Sequence, residues 1–141
     1  MTINEIQNEI ISEFEFFDDW MDKYDYIIEL GKNLPLIDEQ YKDEDHLIKG
    51  CQSRVWLHAD LANTHVDFTA DSDAVITKGI IALLIRVLSG HTPEEIARAD
   101  LYFIDRIGLK EHLSPTRSNG LVNMVKQMKL YGLGLAAKKD A

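Results

Sequence analysis

The chain is 141 residues long, 45% hydrophobic and 28% charged, with a formal net charge of −9 at pH 7. That balance fits one soluble domain spanning residues 1–141, large enough to bury roughly two-thirds of its unfolded surface. The acidity opposes non-specific binding to nucleic acid, which depends on neutralising phosphates, and docking on anionic lipid.

Steering toward a basic patch on a protein partner and simple solubility both remain open as uses for that charge. No apolar run approaches the roughly 20 residues needed to cross a bilayer, so no membrane partner is expected. Residues 1–20 show neither the basic start nor the cleavage pattern of a signal peptide. One unpaired cysteine fits a reducing cytoplasm better than secretion.

In chain order, Ile3, Ile6, Ile10, Phe14 and Phe17 recur three or four apart and predict an amphipathic helix over 3–17. A second helix is expected over 18–33, with Trp20, Met21, Tyr24, Ile27, Ile28 and Leu30 as its apolar stripe. Gly31 weakens it near its end and Pro35 blocks continuation. The polar, acidic stretch 35–46 reads as a surface loop. Leu47 and Ile48 are a candidate short strand.

Val55, Leu57, Ala59 and Leu61 then alternate with polar or aromatic residues, as do Val66, Phe68 and Ala70. With a turn at Ala62-Asn63-Thr64 between them, the two runs predict an antiparallel hairpin. Ser72 or Asp73 can cap a helix to about Leu88, in which Gly79 suggests close backbone contact with a neighbour. Thr92-Pro93-Glu94-Glu95 is a capping-box signature. A short helix around 100–107 is expected to stop at Gly108. Ser114-Pro115 opens a last helix over 116–138, with Leu121, Val122, Val125, Met128 and Leu130 facing inward and Gly132 and Gly134 loosening its tail. Helices packed on a small antiparallel sheet, a hairpin with that candidate third strand, make the expected class α+β.

The only cysteine, Cys51, sits in Gly50-Cys51-Gln52-Ser53-Arg54-Val55-Trp56. A sole cysteine forms no internal disulfide, so its use lies in packing or in reactivity. Gly50 frees the backbone to turn, Gln52 and Ser53 are polar, and the strand starts only at Val55. That pattern holds the thiol toward a partner rather than in a core. Lys49 and Arg54 flank it and supply a positive field of the kind that lowers thiol pKa values.

Other chemistries fit less well. Catalytic zinc needs three protein ligands and structural zinc four. The five histidines, His46, His58, His65, His91 and His112, form no close helical pair, so no metal is expected. Neither a phosphate-binding Gly-rich loop ending in Gly-Lys-Ser/Thr nor a dinucleotide fingerprint occurs, so no nucleotide cofactor is expected. A cysteine hydrolase would need a base such as His58 or His112 and an orienting residue such as Asn119, yet Cys51 precedes a strand rather than opening a helix. Sulfur transfer asks less: one accessible thiol that attacks a persulfide, and a surface that docks the donor.

The segment Gly50-Cys51-Gln52-Ser53-x-Val55-Trp56 closely resembles the signature of the SufE family of sulfur acceptor proteins. Tyr26-Ile27-Ile28-Glu29-Leu30-Gly31 with Leu34-Pro35, Asp71-Ser72-Asp73-Ala74 with Ile76 and Lys78-Gly79, and His112-Leu113-Ser114-Pro115-x-Arg117-x-Asn119-Gly120-Leu121 resemble further family patterns in the same order. The resemblance covers about residues 20–130.

It implies an α+β fold shared with U-type iron–sulfur scaffold proteins, which carry three cysteines where this chain has only Cys51. It also implies a persulfide on Cys51, taken from a SufS-type, pyridoxal-phosphate-dependent cysteine desulfurase whose turnover is stimulated, and passed to the SufBCD scaffold. The pyridoxal phosphate belongs to that partner, and none is expected on this chain. The related CsdE branch shares the motif and pairs with a different desulfurase. Whether the chain counts as an enzyme, and whether it forms a homodimer, stays open.

Around the nucleophile, Gly50 lets the turn flex, so that Cys51 is sheltered at rest and extended in a complex. Gln52 and Ser53 either hydrogen-bond the turn or the partner or simply fill the turn. Arg117 either reaches the Cys51 loop or a partner carboxylate, or forms a helix-surface salt bridge. Asp73 is expected as a helix cap, and the resemblance alone adds a place on the docking face.

Overall fold

The alternation at 55–70 forms an antiparallel hairpin, β1 (Val55–Ala62) and β2 (His65–Ser72), in a computed structural model that describes residues 1–139. The register runs from Val55 opposite Ser72 to Ala62 opposite His65. Asn63 and Thr64 therefore make the turn, and Asn63 takes φ 57, a left-handed conformation that asparagine tolerates. Val55, Leu57, Val66, Phe68 and Ala70 are buried, while Leu61 near the turn is exposed.

Leu47 and Ile48 do not form the candidate third strand. Leu47 makes only an isolated bridge to Trp56, and the sheet has two strands among the described residues. A 3-10 turn, Glu44–His46, runs straight into Leu47, and Gly50 at φ 85 turns the chain away again. Too little chain is left between them for a ladder. The stretch 35–46 is also more than a loop. The Ile37 N–H donates to the Ala70 carbonyl at 3.0 Å, the Ala70 N–H donates to the Pro35 carbonyl at 3.0 Å, and Ile37 is buried. Two 3-10 turns follow, Glu39–Tyr41 and Glu44–His46, each opened by an aspartate side chain, Asp38 and Asp43.

The helical layer begins with α1 (Ile3–Phe14), opened by a capping box of Thr2 and Glu5, and α2 (Trp20–Gly31), capped by Asp19. Gly31 is less a weak point than a contact. A Cβ on it would lie 2.8 Å from the Gly79 nitrogen in α3 (Val75–Leu88), and one on Gly79 would strike the Ile27 carbonyl oxygen. Two bare backbones touching is what lets α2 and α3 pack this closely.

Thr92 and Glu95 form the expected capping box of α4 (Pro93–Arg98). Gly108, at φ 75, does not stop the helical path. It separates α5 (Phe103–Arg106) from a further turn, α6 (Leu109–His112). The last helix, α7 (Pro115–Lys139), runs unbroken through Gly132 and Gly134. At Gly132 an added Cβ would come within 3.0 Å of the Pro93 carbonyl oxygen, so this glycine seats α7 on α4. Leu121, Met124 and Met128 are buried, but Val122 and Leu130, expected inward, are each 48% exposed. A 3.6-residue period places residues 121, 124 and 128 on one face and turns 122 and 130 away from it. One contiguous core runs from Ile3 to Met128, drawing on all seven of these helices and both strands.

Candidate functional site

The chain between Ile48 and Val55 leaves the fold as a short loop closed at its base. The Ile48 N–H donates to the Val55 carbonyl at 2.8 Å, and the Leu47–Trp56 bridge extends that closure. Gly50 holds the left-handed turn, and its carbonyl accepts from Asn123 Nδ2 at 3.0 Å. The positive φ favours glycine here, and a Cβ on Gly50 would in addition displace that same Asn123 amide.

Cys51 follows, packed beside α7, with its thiol donating to the Gly120 carbonyl at 3.6 Å. The sulfur lies against Gly120, where even an added Cβ would sit 3.6 Å from Sγ, an ordinary packing contact. Past the cysteine, Ser53 Oγ and Thr77 Oγ1 are hydrogen-bonded at 3.3 Å. The Arg54 N–H donates to Asp73 Oδ1 at 3.1 Å while the Asp73 N–H donates to the Arg54 carbonyl at 3.3 Å.

Asp73 therefore does not cap α3. Ser72 Oγ takes the Ala74 N–H instead, and Ala74, at the N-cap, makes no side-chain cap bond. Asp73 instead accepts from the Arg54 N–H, beside the first residue of β1. It pins the end of the cysteine loop to the start of α3.

A hollow of about 320 Å³ opens beside the thiol, lined by Cys51 with Gln52, Thr77, Arg117, Gly120 and Met124 among others. Arg117 lies on the first turn of α7, exposed, with Nη1 donating to the Tyr24 hydroxyl at 3.4 Å. It thus reaches the rim of the cysteine hollow, and no acidic partner for it is found among the described residues. The first turns of α3 and α7 both border the hollow, so the positive ends of two helix dipoles meet there.

The thiol itself is half-buried, and that burial pushes its pKa up. The lowering expected from Lys49 and Arg54 is not found. Both side chains are exposed, while desolvation disfavours the thiolate at the sulfur. In the free protein Cys51 is a sheltered, protonated thiol at neutral pH.

The hydrolase arrangement is not assembled. His58 stacks on Tyr41 with ring centroids 3.9 Å apart and bonds to His46 and Asp60, at 3.1 and 2.9 Å. His112 stacks on Trp20 and bonds to the Gly108 carbonyl. Neither lines the hollow. Among the described residues no three His, Cys, Asp or Glu side chains gather to hold a metal ion.

Gly50, Cys51, Gln52, Ser53 and Arg117 are brought together, and Asp73 closes the loop behind them. Thr77 and Asn123 are not singled out by the sequence, and Tyr24 reads there only as part of an apolar helix stripe. The signal for Asn123 is helical spacing: residues 116, 120, 123 and 124 share one stripe of α7, and Gly120 marks it as the stripe facing the cysteine.

The SufE family, described as an Fe-S metabolism associated domain, matches residues 8–131. The chain belongs to the SufE family. A SufE-like protein of Rhizobium meliloti is 42% identical over 127 residues, covering 86% of this chain and 91% of that protein. SufE-like protein 1, chloroplastic/mitochondrial, of Arabidopsis thaliana is 40% identical over 133 residues, covering 94% of this chain and 36% of the longer plant protein. The solution structure of a hypothetical protein from Thermus thermophilus shares the fold, with a TM-score of 0.78 at 19% identity over 94% of this chain and 96% of the other. The SufE assignment ties the chain to iron–sulfur metabolism. No helix among the described residues is long and apolar enough to cross a membrane.

Proposed function

We propose that this SufE-family chain is a sulfur acceptor and carrier. Cys51 takes the terminal sulfur of a persulfide on a pyridoxal-phosphate-dependent cysteine desulfurase, stimulates that enzyme by clearing it, and hands the sulfur to an iron–sulfur scaffold in the cytoplasm. The observation that supports this reading best is the setting of the chain's only thiol: half-buried, at the tip of a base-closed loop, beside an open hollow.

In the transfer step the Cys51 thiolate attacks the outer sulfur of the donor persulfide. The bond between the donor's two sulfurs breaks and the donor departs as a thiolate. A persulfide remains on Cys51, and the sulfane sulfur is neither oxidised nor reduced. Because burial keeps the resting thiol protonated, the docked donor has to draw the loop out or supply positive charge before attack. Arg117 and the two helix N-termini border the hollow and favour an anionic group placed in it. Shelter between transfers protects a bound persulfide from oxidants, which act on exposed thiolates.

Incubation with a cysteine desulfurase and cysteine, followed by intact-mass analysis, is expected to show a reducible added sulfur on the parent and none on Cys51→Ser. The serine variant still docks but no longer stimulates sulfide release. If Cys51→Ser stimulates as well as the parent, the chain is instead a binding activator in which the cysteine is incidental.

A further inference from the structure

The loop carrying Cys51 is fastened unequally at its two ends. On the downstream side the fastening is multiple: the reciprocal pair of bonds between Arg54 and Asp73 and the contact between Ser53 and Thr77. On the upstream side, between the base at Ile48 and the cysteine itself, the hydrogen bond found is the one from Asn123 Nδ2 to the Gly50 carbonyl. The thiol's own contact with the Gly120 carbonyl, at 3.6 Å, is a weak sulfur hydrogen bond.

We infer that Asn123 is the latch of the Cys51 loop: its side-chain amide, by holding the Gly50 carbonyl against α7, sets how often the thiol leaves the Gly120 surface. This deepens the acceptor reading of the same site and makes Asn123 a positioning residue, acting on Cys51 through Gly50.

Three features support the assignment. Asn123 is partly exposed on α7, so the bond competes with water and can open without disturbing the core. Gly50 lies flat against the Asn123 amide, close enough that a methyl group would collide with it, so the contact is one of shape as well as of hydrogen bonding. Gly50 also sits at φ 85, and glycine leaves that conformation for many others at little steric cost, so once the amide releases the carbonyl nothing in the local backbone holds the turn. The burial that raises the thiol pKa is maintained by this closed state, so an opening event delivers exposure and easier ionisation together.

The test needs no desulfurase, so it stands or falls separately from the transfer chemistry. The full-length parent, Asn123→Ala and Asn123→Asp are alkylated with iodoacetamide under native conditions, and amide hydrogen exchange is followed by mass spectrometry. Asp keeps the shape of Asn but replaces the donating amide with a carboxylate oxygen facing the Gly50 carbonyl. Both variants are expected to alkylate about three- to tenfold faster, the population change that loss of one net hydrogen bond brings. The alkylation pH profile should move downward, with faster exchange confined to the loop at 49–54. An Asp variant that behaves like the parent while Ala is faster would assign the effect to bulk and overturn the latch. So would unchanged rates in both variants, or faster exchange spread along α7.

Discussion

In the free protein the Cys51 thiol holds its proton above the ordinary cysteine range because burial penalises the thiolate while the thiol keeps a carbonyl to donate to, that of Gly120. Its alkylation rate is therefore expected to rise with pH through a midpoint above that of the urea-unfolded chain, where the same side chain is solvated. A midpoint at or below the unfolded value would mean that Lys49 and Arg54 govern the sulfur after all. The place of the thiol on a turn before the hairpin was legible in the sequence because only one cysteine exists and its neighbours are turn-formers. Its ionisation was not. Charges adjacent in sequence are exposed in space, and the groups that decide the matter, Gly120 and Asn123, come from a helix that begins more than sixty positions later.

Glycines separate the two kinds of helix contact. Gly79→Ala would drive a methyl group into the Ile27 carbonyl oxygen, and because that obstacle is backbone, α2 and α3 must separate. A loss of about 1–3 kcal/mol or more is expected in chemical denaturation. Gly134→Ala meets nothing within 4 Å in the same kind of helical backbone, and a gain of up to about 1 kcal/mol is expected from helix propensity. Equal effects of the two substitutions would refute the contact as the reason for Gly79. The sequence shows both as glycines in helical patterns and reads the first correctly as a close approach. It misreads Gly31 and Gly132, because an interruption in propensity and a packing notch look the same until the partner helix is placed. The hairpin and the capping box at Thr92 were readable for the opposite reason: each is closed by residues a few positions apart.

Across the whole molecule, carboxylates tie elements distant in the chain. Glu13 of α1 accepts from Arg86 of α3 and from the Tyr26 hydroxyl of α2, and the Arg86 guanidinium holds its carboxyl below the usual range. Burial alone would raise Asp71 on β2, but bonds from Lys42, the Ser72 N–H and Lys78 outweigh it and keep this group low too. Both groups bind protons more weakly folded than unfolded. Their contribution is present above the unfolded carboxylate value, about 4, and is lost as pH falls through the folded values. Urea midpoints are thus expected to drop on acidification below about pH 4, and less steeply in Arg86→Leu, measured against its own neutral-pH stability. The acidic composition pointed to none of this, because long-range ion pairs leave no periodic trace in a sequence.

The closure at Ile48 and Val55 has a further geometric outcome. Cys51 stands three positions beyond that knot, and a fully stretched chain gains at most about 3.3–3.6 Å per residue, so its Cα can lie only roughly 10 Å from the anchor, with the short side chain beyond it. Such a short leash rules out a long swinging arm: under the proposed acceptor role a donor has to press its own sulfur close to this chain's surface, and the fit between two bodies, rather than the length of a tether, decides which donors are served.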